Sequence, residues 1–338
     1  MKNNGIDHYL NNIGYQYYRS TLDASGQKAY DSMYYGFLTY EEEIDLHGLG
    51  FKQFNDILQK LKNDNPQLFF IETASFQYNP ISWSGRIIPQ YRFPKEKADQ
   101  TLIAIQERYE PIIEQCRLSS DIQKEKQIHD LICKNVYYDK QFAESSFECV
   151  GPLLFGKGVC SGISKAAKLL FDHLGLKTIY IYGEASENAE NTGNDAETSH
   201  AWNLVFLDNA FYHLDITFDL TISSNDIIRY DYFNLSDSEI SNDHKILAAP
   251  VPHCQQSGDY YVKNNLYMRT TQEFTSYLEQ SVRNGKTDIV IKLPRVDDFE
   301  RAKIKILNIA EKYLNSSYYS SLQFYYNRKQ WVFHLHYA

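Results

Sequence analysis

The sequence predicts an α+β protein. Three observations carry this. A helix begins at Cys160, directly after a glycine-rich loop. A β-hairpin follows over residues 200–218. Segments that mix short strands and helices flank both. The loop reads Gly156-Lys157-Gly158-Val159-Cys160-Ser161-Gly162. After it, Ile163, Ala166, Ala167, Leu170 and Leu174 recur at helical spacing, and Gly175 reads as the stop. Residues 200–207 and 210–218 read as strands, with Asp208-Asn209 as a two-residue turn.

The flanks are legible in the same way. Residues 7–37 read as irregular helix, 40–47 as a strand and 51–63 as a helix. Strands are predicted near 67–72, 74–79 and 86–93. A helix covers 95–115, with a kink expected at Pro111. Helix 121–135 leads into the centre. Beyond Pro250 and Pro252, strands are predicted at 260–268 and 287–293 and helices at 271–283 and 298–314. A closing hairpin, 320–326 and 331–337, turns at Asn327-Arg328. The two ends read as copies of one small α+β module. The domains expected are an N-terminal module at 1–118, a core at 119–252 and a C-terminal module at 253–338.

Cys160 sits in the first turn of its helix. Unpaired backbone N–H groups and the positive end of the helix dipole favour a thiolate there. His200 and Asp215 complete the parts for acyl transfer: nucleophile, base and orienting carboxylate. With Leu207 paired to Ala210, His200 and Asp215 share one face as diagonal neighbours, roughly 7–8 Å apart in the backbone. Each residue also has an ordinary reading. A cysteine among apolar helix residues is often a small buried hydrophobe. His200 could be a core histidine with one hydrogen bond, and Asp215 a carboxylate capping a turn. His213 lies on the same predicted face and competes as base. His200 is preferred because it stands at the open end of the hairpin.

Other features bound the function. The five cysteines form no C-x-x-C pair, so no metal site is expected, and His253-Cys254 shows no further ligands nearby. No cofactor is expected either, for no phosphate-cradling glycine motif is present. Loop 184–199 holds five carboxylates and no base. It reads as a solvated excursion, or as a lid whose field favours a cationic acceptor. It lacks the oxygen spacing of a calcium loop. A net charge of −9 argues against nucleic acid as a partner. No apolar run of 18 residues suggests a membrane partner. Scattered cysteines and an N-terminus without a leader-like run point to the cytoplasm; export would need a leader outside this sequence. The 28 tyrosines fit good strands, or recognition of a protein or glycan surface. Oligomeric state is not legible.

Three segments together resemble a known family. Gly-Val-Cys-Ser-Gly-Ile-Ser-Lys-Ala at 158–166 resembles the cysteine segment of bacterial transglutaminase-like proteins. His-Ala-Trp-Asn-Leu-Val at 200–205 resembles their histidine strand, and Tyr-His-Leu-Asp-Ile-Thr-Phe-Asp at 212–219 their aspartate strand. Tyr232-Phe233, before Asn234-Leu235-Ser236, is similar to the segment that follows. The resemblance covers about 125–250. It implies a papain-like α+β core with the cysteine helix packed on an antiparallel sheet. It implies Cys160 as nucleophile, His200 as base and Asp215 as the residue that orients it. The activity implied is acyl transfer or hydrolysis at carboxamide or amide groups of a protein or peptide substrate, through a thioester. Ile163-Ser164 and Phe218 depart from the family's usual Tyr-Ala and Trp, which touches pocket lining and not the triad. The alternative is a non-catalytic protein- or glycan-binding module on the same scaffold. The backbone N–H of Cys160 is the natural oxyanion donor, with Asn135, Tyr137 and Tyr138 as candidates for the second.

Overall fold

A computed structural model of the chain describes residues 14–47, 51–79, 84–186, 197–224, 227–248, 250–312 and 320–338. Helices α1 (Tyr17–Ser20) and α2 (Ala24–Thr39) come first. Asp23 starts α2 by accepting the N–H of Gly26 at 2.7 Å. Strand β1 (Ile44–His47), helix α3 (Phe51–Asp64) and strands β2 (Ile71–Asn79) and β3 (Ser84–Tyr91) form an antiparallel unit of strand order β1-β3-β2. The two strands predicted at 67–72 and 74–79 are one strand. Pro66, with no N–H for a ladder, opens a 3-10 turn (Pro66–Leu68) instead. Helix α4 (Lys95–Cys116) runs through Pro111, and α5 (Asp121–Asn135) starts in a capping box of Ser120 and Gln123.

The central elements follow closely. They are β4 (Tyr137–Tyr138), a 3-10 turn (Glu144–Phe147), α6 (Val150–Phe155), β5 (Lys157–Gly158) and α7 (Cys160–His173). The β4 and β5 strands pair in parallel, Tyr137 opposite Lys157 and Tyr138 opposite Gly158. Ile163, Ala166, Ala167 and Leu170 are buried, as their spacing predicts. Lys168 is buried too, on the side the helical pattern would leave to water. Its ammonium donates to the carbonyls of Thr178 at 2.9 Å and Tyr15 at 3.1 Å and pairs with Asp172. A buried lysine is tolerated only with such partners.

Strands β6 (Thr178–Ser186), β7 (Glu197–Leu207) and β8 (Ala210–Leu214) lead to α8 (Ile216–Ile222), β9 (Phe233–Leu235), α9 (Asp237–Ile240) and β10 (His244–Ile246). The five strands make a sheet of order β10-β6-β7-β8-β9. Helix α7 packs on it: Ser164 Oγ donates to Ala201 O at 2.9 Å, and Asn203 Nδ2 donates to Ser164 O at 3.1 Å. The core is therefore α+β and papain-like, as the sequence predicts. Asp208 and Asn209 turn the chain with φ of 46° and 64°, the positive values a type I′ hairpin requires. Strand β7 is buried on both faces from Ala201 to Val205. Most of loop 184–199 is accounted for differently than expected. Residues 184–186 belong to β6 and 197–199 to β7, while 187–196 lie outside the described residues.

The C-terminal part holds α10 (Tyr260–Lys263), α11 (Thr271–Arg283), β11 (Asp288–Lys292), α12 (Phe299–Glu311), β12 (Leu322–Asn327) and β13 (Val332–Tyr337). The strand predicted at 260–268 is instead the α10 turn. Asp259 accepts the N–H groups of Tyr261 at 2.9 Å and Val262 at 3.1 Å, which starts a helix. Only Tyr267 pairs, in an isolated bridge to Lys292. The closing hairpin turns after Asn327, whose side chain accepts the N–H groups of Lys329 and Gln330, each at 3.1 Å. The sheet order is β11-β13-β12. The two ends thus share one connectivity, helix–strand–helix–strand–strand, with the third strand central in each sheet. Phe274, Leu278, Ile291 and Phe333 fill the C-terminal copy.

The chain forms two compact units. The first comprises Met1–Tyr182 with Ala201–Asn209, the second Gly183–His200 with Ala210–Ala338. No helix among the described residues is long and apolar enough to cross a membrane.

Gly162 offers a direct test of packing beneath the cysteine. A Cβ there would lie 2.2 Å from Ser146 O and 3.0 Å from Glu148 O, both backbone atoms. Glycine to alanine inside a helix ordinarily stabilises. Gly162→Ala should instead lower stability by about 1–3 kcal/mol, the cost of overpacking. A thermal melt at or above the wild-type midpoint would contradict this packing.

Candidate active site

Cys160 is the first residue of α7, after an extended Val159. The approach is held on both sides. Val159 N–H donates to Ser146 O at 3.0 Å, and Tyr137 and Asp139 N–H groups donate to the carbonyls of Gly156 and Gly158, each at 3.0 Å. Asp139 in turn accepts from Ser146 Oγ and from the N–H groups of Gln141 and Ala143. One residue on, Ser161 Oγ donates to Phe147 O at 3.2 Å and accepts from the Tyr180 hydroxyl at 3.3 Å. The cysteine is half-buried, unlike Cys116, Cys149 and Cys254, which are fully buried. Burial pushes those three thiols up, away from the thiolate. Of the oxyanion candidates, Asn135 turns its amide back to Leu131 O at 2.7 Å, and Tyr137 is exposed.

His200 and Asp215 lie in the second unit. The strand predicted to 218 ends at Leu214, and Asp215 caps α8. Its Oδ1 accepts the N–H groups of Thr217 at 2.9 Å and Phe218 at 3.1 Å. That cap ends the strand, because the same amides cannot also serve a ladder. The cap leaves Oδ2 for imidazoles. His200 Nε2 lies 2.6 Å from it, the hydrogen bond that the shared face predicts.

A second histidine, missed in the sequence, reaches the same oxygen. His244 Nε2 is 3.0 Å from Asp215 Oδ2, and His244 Nδ1 is 2.6 Å from Asp243 Oδ1. Asp243 Oδ2 accepts from the Tyr232 hydroxyl at 2.6 Å, which accepts from Asn327 Nδ2 at 3.1 Å. The Phe218 ring packs against His200, His244 and Tyr232, with centroids 4.8, 4.7 and 5.0 Å away. Burial alone would raise the Asp215 carboxyl, but His200 and His244 outweigh it and hold the group far below the usual carboxylate range. Burial alone would lower His244, but Asp215 and Asp243 outweigh it and raise the imidazole above its ordinary value. The only sequence trace of His244 is its place beside Asp243, on a strand of three residues.

His213, the competing base, points elsewhere. It is buried, and its Nε2 lies 2.9 Å from Asp237 Oδ1. His253 Nδ1 lies 3.2 Å from the other oxygen of that carboxylate. The fold therefore brings ligand-type neighbours to His253-Cys254 that the local sequence does not show.

The paired histidine and carboxylate make stability pH-dependent. Asp215, depressed in the fold, contributes above its ordinary 3.8 and loses that contribution as pH falls through the lower folded value. His244, raised, contributes fully below its ordinary 6.5 and loses that contribution as pH rises through the higher folded value. The stability difference between wild type and His244→Gln should therefore be widest at mildly acid pH and narrow above neutrality. Thermal midpoints of both proteins across pH check this; a gap that is constant through neutrality contradicts it.

Residues 112–216 match the model of the transglutaminase-like superfamily. That span contains Cys160, His200 and Asp215. No curated protein matches the chain. Among solved structures, one described as a TGase is 16% identical with a TM-score of 0.29, over 52% of this chain and 50% of that one. A proposed cysteine protease from Cytophaga hutchinsonii is 11% identical with a TM-score of 0.27, over 44% of this chain and 62% of that one. The chain thus spans less than two thirds of either structure. Over residues 112–216, about a third of its length, the chain is thus similar to the transglutaminase-like superfamily.

Proposed function

We propose that this chain is a cysteine-dependent acyl-transfer enzyme acting on carboxamide or amide groups of a protein or peptide. The observation that carries the reading is the buried 2.6 Å bond from His200 Nε2 to an Asp215 whose other oxygen is pinned by two backbone amides. An imidazole held this way has a fixed tautomer and a counter-charge for its protonated form. With Nε2 committed to Asp215, Nδ1 is the nitrogen that exchanges protons with sulfur and substrate.

The steps balance without a cofactor. The Cys160 thiolate attacks the carbonyl carbon and forms a C–S bond. The oxyanion is met by N–H groups at the start of α7, which have no acceptor within the helix. The C–N bond breaks, and the imidazolium of His200 gives its proton to the leaving ammonia or amine. A thioester remains on Cys160. Water or a primary amine then attacks it, His200 takes the acceptor's proton, the C–S bond breaks, and the thiolate–imidazolium pair is restored. Asp215 stays ionised throughout and orients the ring.

Mass spectrometry tests the reading. Incubation with glutamine-containing peptides should place an acyl adduct on Cys160. A primary amine should divert that adduct to an amide product if transamidation is the reaction, and leave an acid if hydrolysis is. Cys160→Ala should lose all adduct and product while its circular dichroism is unchanged. Turnover by Cys160→Ala would exclude the mechanism.

Alkylation gives an independent check. Iodoacetamide near pH 6 should label Cys160 well ahead of Cys116, Cys149 and Cys254, whose thiols burial pushes up. His200→Ala should slow that labelling and lower kcat by about 10²–10⁴. Labelling of Cys160 no faster than of the buried cysteines would favour a binding scaffold.

A further inference from the structure

A second set of metal-ligating side chains converges apart from the His200–Asp215 pair, within the second unit. One ligand atom from each of His213, Asp237 and Cys254 lies within 4.8 Å of the others. The parts come from three places: His213 from β8, Asp237 from the first position of α9, and Cys254 from the segment after Pro252. The Asp237 carboxylate lies between two imidazoles, His213 Nε2 at 2.9 Å from one oxygen and His253 Nδ1 at 3.2 Å from the other. The Asp237 N–H donates to Cys254 O at 2.8 Å, which latches the segment onto the start of α9.

The donor chemistry is specific. Two imidazole nitrogens, one thiol sulfur and one carboxylate oxygen are the ligands of four-coordinate zinc. With bonds of about 2.0–2.3 Å, the ligand atoms of a tetrahedral zinc stand roughly 3.3–3.8 Å apart. Here the His213, Asp237 and Cys254 ligand atoms lie within 4.8 Å of one another, and His253 stands at the open side with its Nδ1 3.2 Å from Asp237 Oδ2. A plain His213–Asp237 ion pair explains two of the residues. The His253 imidazole on the carboxylate's second oxygen and the Cys254 sulfur, hydrogen-bonded to the same group, bring two further donors to it. Access is also present: His213 and Cys254 close the inner side, whereas the His253 side chain is 85% exposed.

We propose that His213, Asp237, His253 and Cys254 form a zinc-binding site. The ion ties β8, α9 and the segment at 253–254 together. Because β8 runs directly into Asp215, it also fixes the strand end that presents the carboxylate to His200. The site is distinct from the other ligand-type group, His200, Asp215 and His244, which has no sulfur.

Cobalt titration of the chelator-stripped full chain tests this. Wild type should bind one cobalt per chain at this site and show a thiolate-to-cobalt charge-transfer band. The band should persist in Cys160→Ala and vanish in Cys254→Ala. His253→Ala changes an exposed side chain and should fold normally. It should weaken cobalt by roughly 10–100-fold or more, a loss seen even when outer-shell partners are removed. Zinc should raise the thermal midpoint of wild type more than that of His253→Ala. The proposal is overturned by absence of the band in wild type, by its survival in Cys254→Ala, by its loss in Cys160→Ala, or by unchanged affinity in His253→Ala.

Discussion

Asp215 is the residue on which the rest of the candidate site depends. Its carboxylate is buried and accepts four hydrogen bonds, two from backbone amides and two from imidazoles. An ionised group out of water survives only when such partners replace hydration. The arrangement also divides the work between the two oxygens. One belongs to the backbone and ends a strand, so its position is fixed by the fold. The other belongs to side chains and is where chemistry can be supported. The backbone of Asp215 is held as well, its N–H donating to Tyr232 O at 3.0 Å.

The segment that leads into Cys160 is built on different physics. There the constraint is close approach of main chain to main chain. Gly162 allows it, since a Cβ there would collide with Ser146 O, while at Gly158 a Cβ would meet the Pro152 ring. The short parallel pairing of β4 with β5 and the Ser146 bond to Val159 fix the loop before the helix begins. A helix start positioned this way presents its N–H groups at a set point.

Much of this was legible in the chain. Helical spacing after Cys160, the Asp208-Asn209 turn and the repeated strand–helix pattern at the two ends all correspond to built elements. Local rules sufficed because each feature is written in adjacent residues. The failures share a cause as well. The apolar alternation from 210 to 218 reads as one strand, yet a capping carboxylate at Asp215 overrides it. At 260 the Asp259 cap does the same to a strand-like run. His244 was invisible because nothing near it signals a functional strand; its meaning comes from Asp215, 29 positions away. The ligands around Cys254 were hidden for the same reason, since His213 and Asp237 are distant in sequence.

The strand order places the two imidazoles on Asp215 in unequal settings. His200 belongs to the interior strand β7, whereas β10, which bears His244, is an edge strand of only three residues. Short peripheral strands are the first to fray in transient sub-global openings, and interior ones the last. The place of His244 beside the carboxylate therefore rests less on the strand ladder than on its own bonds to Asp215 and Asp243.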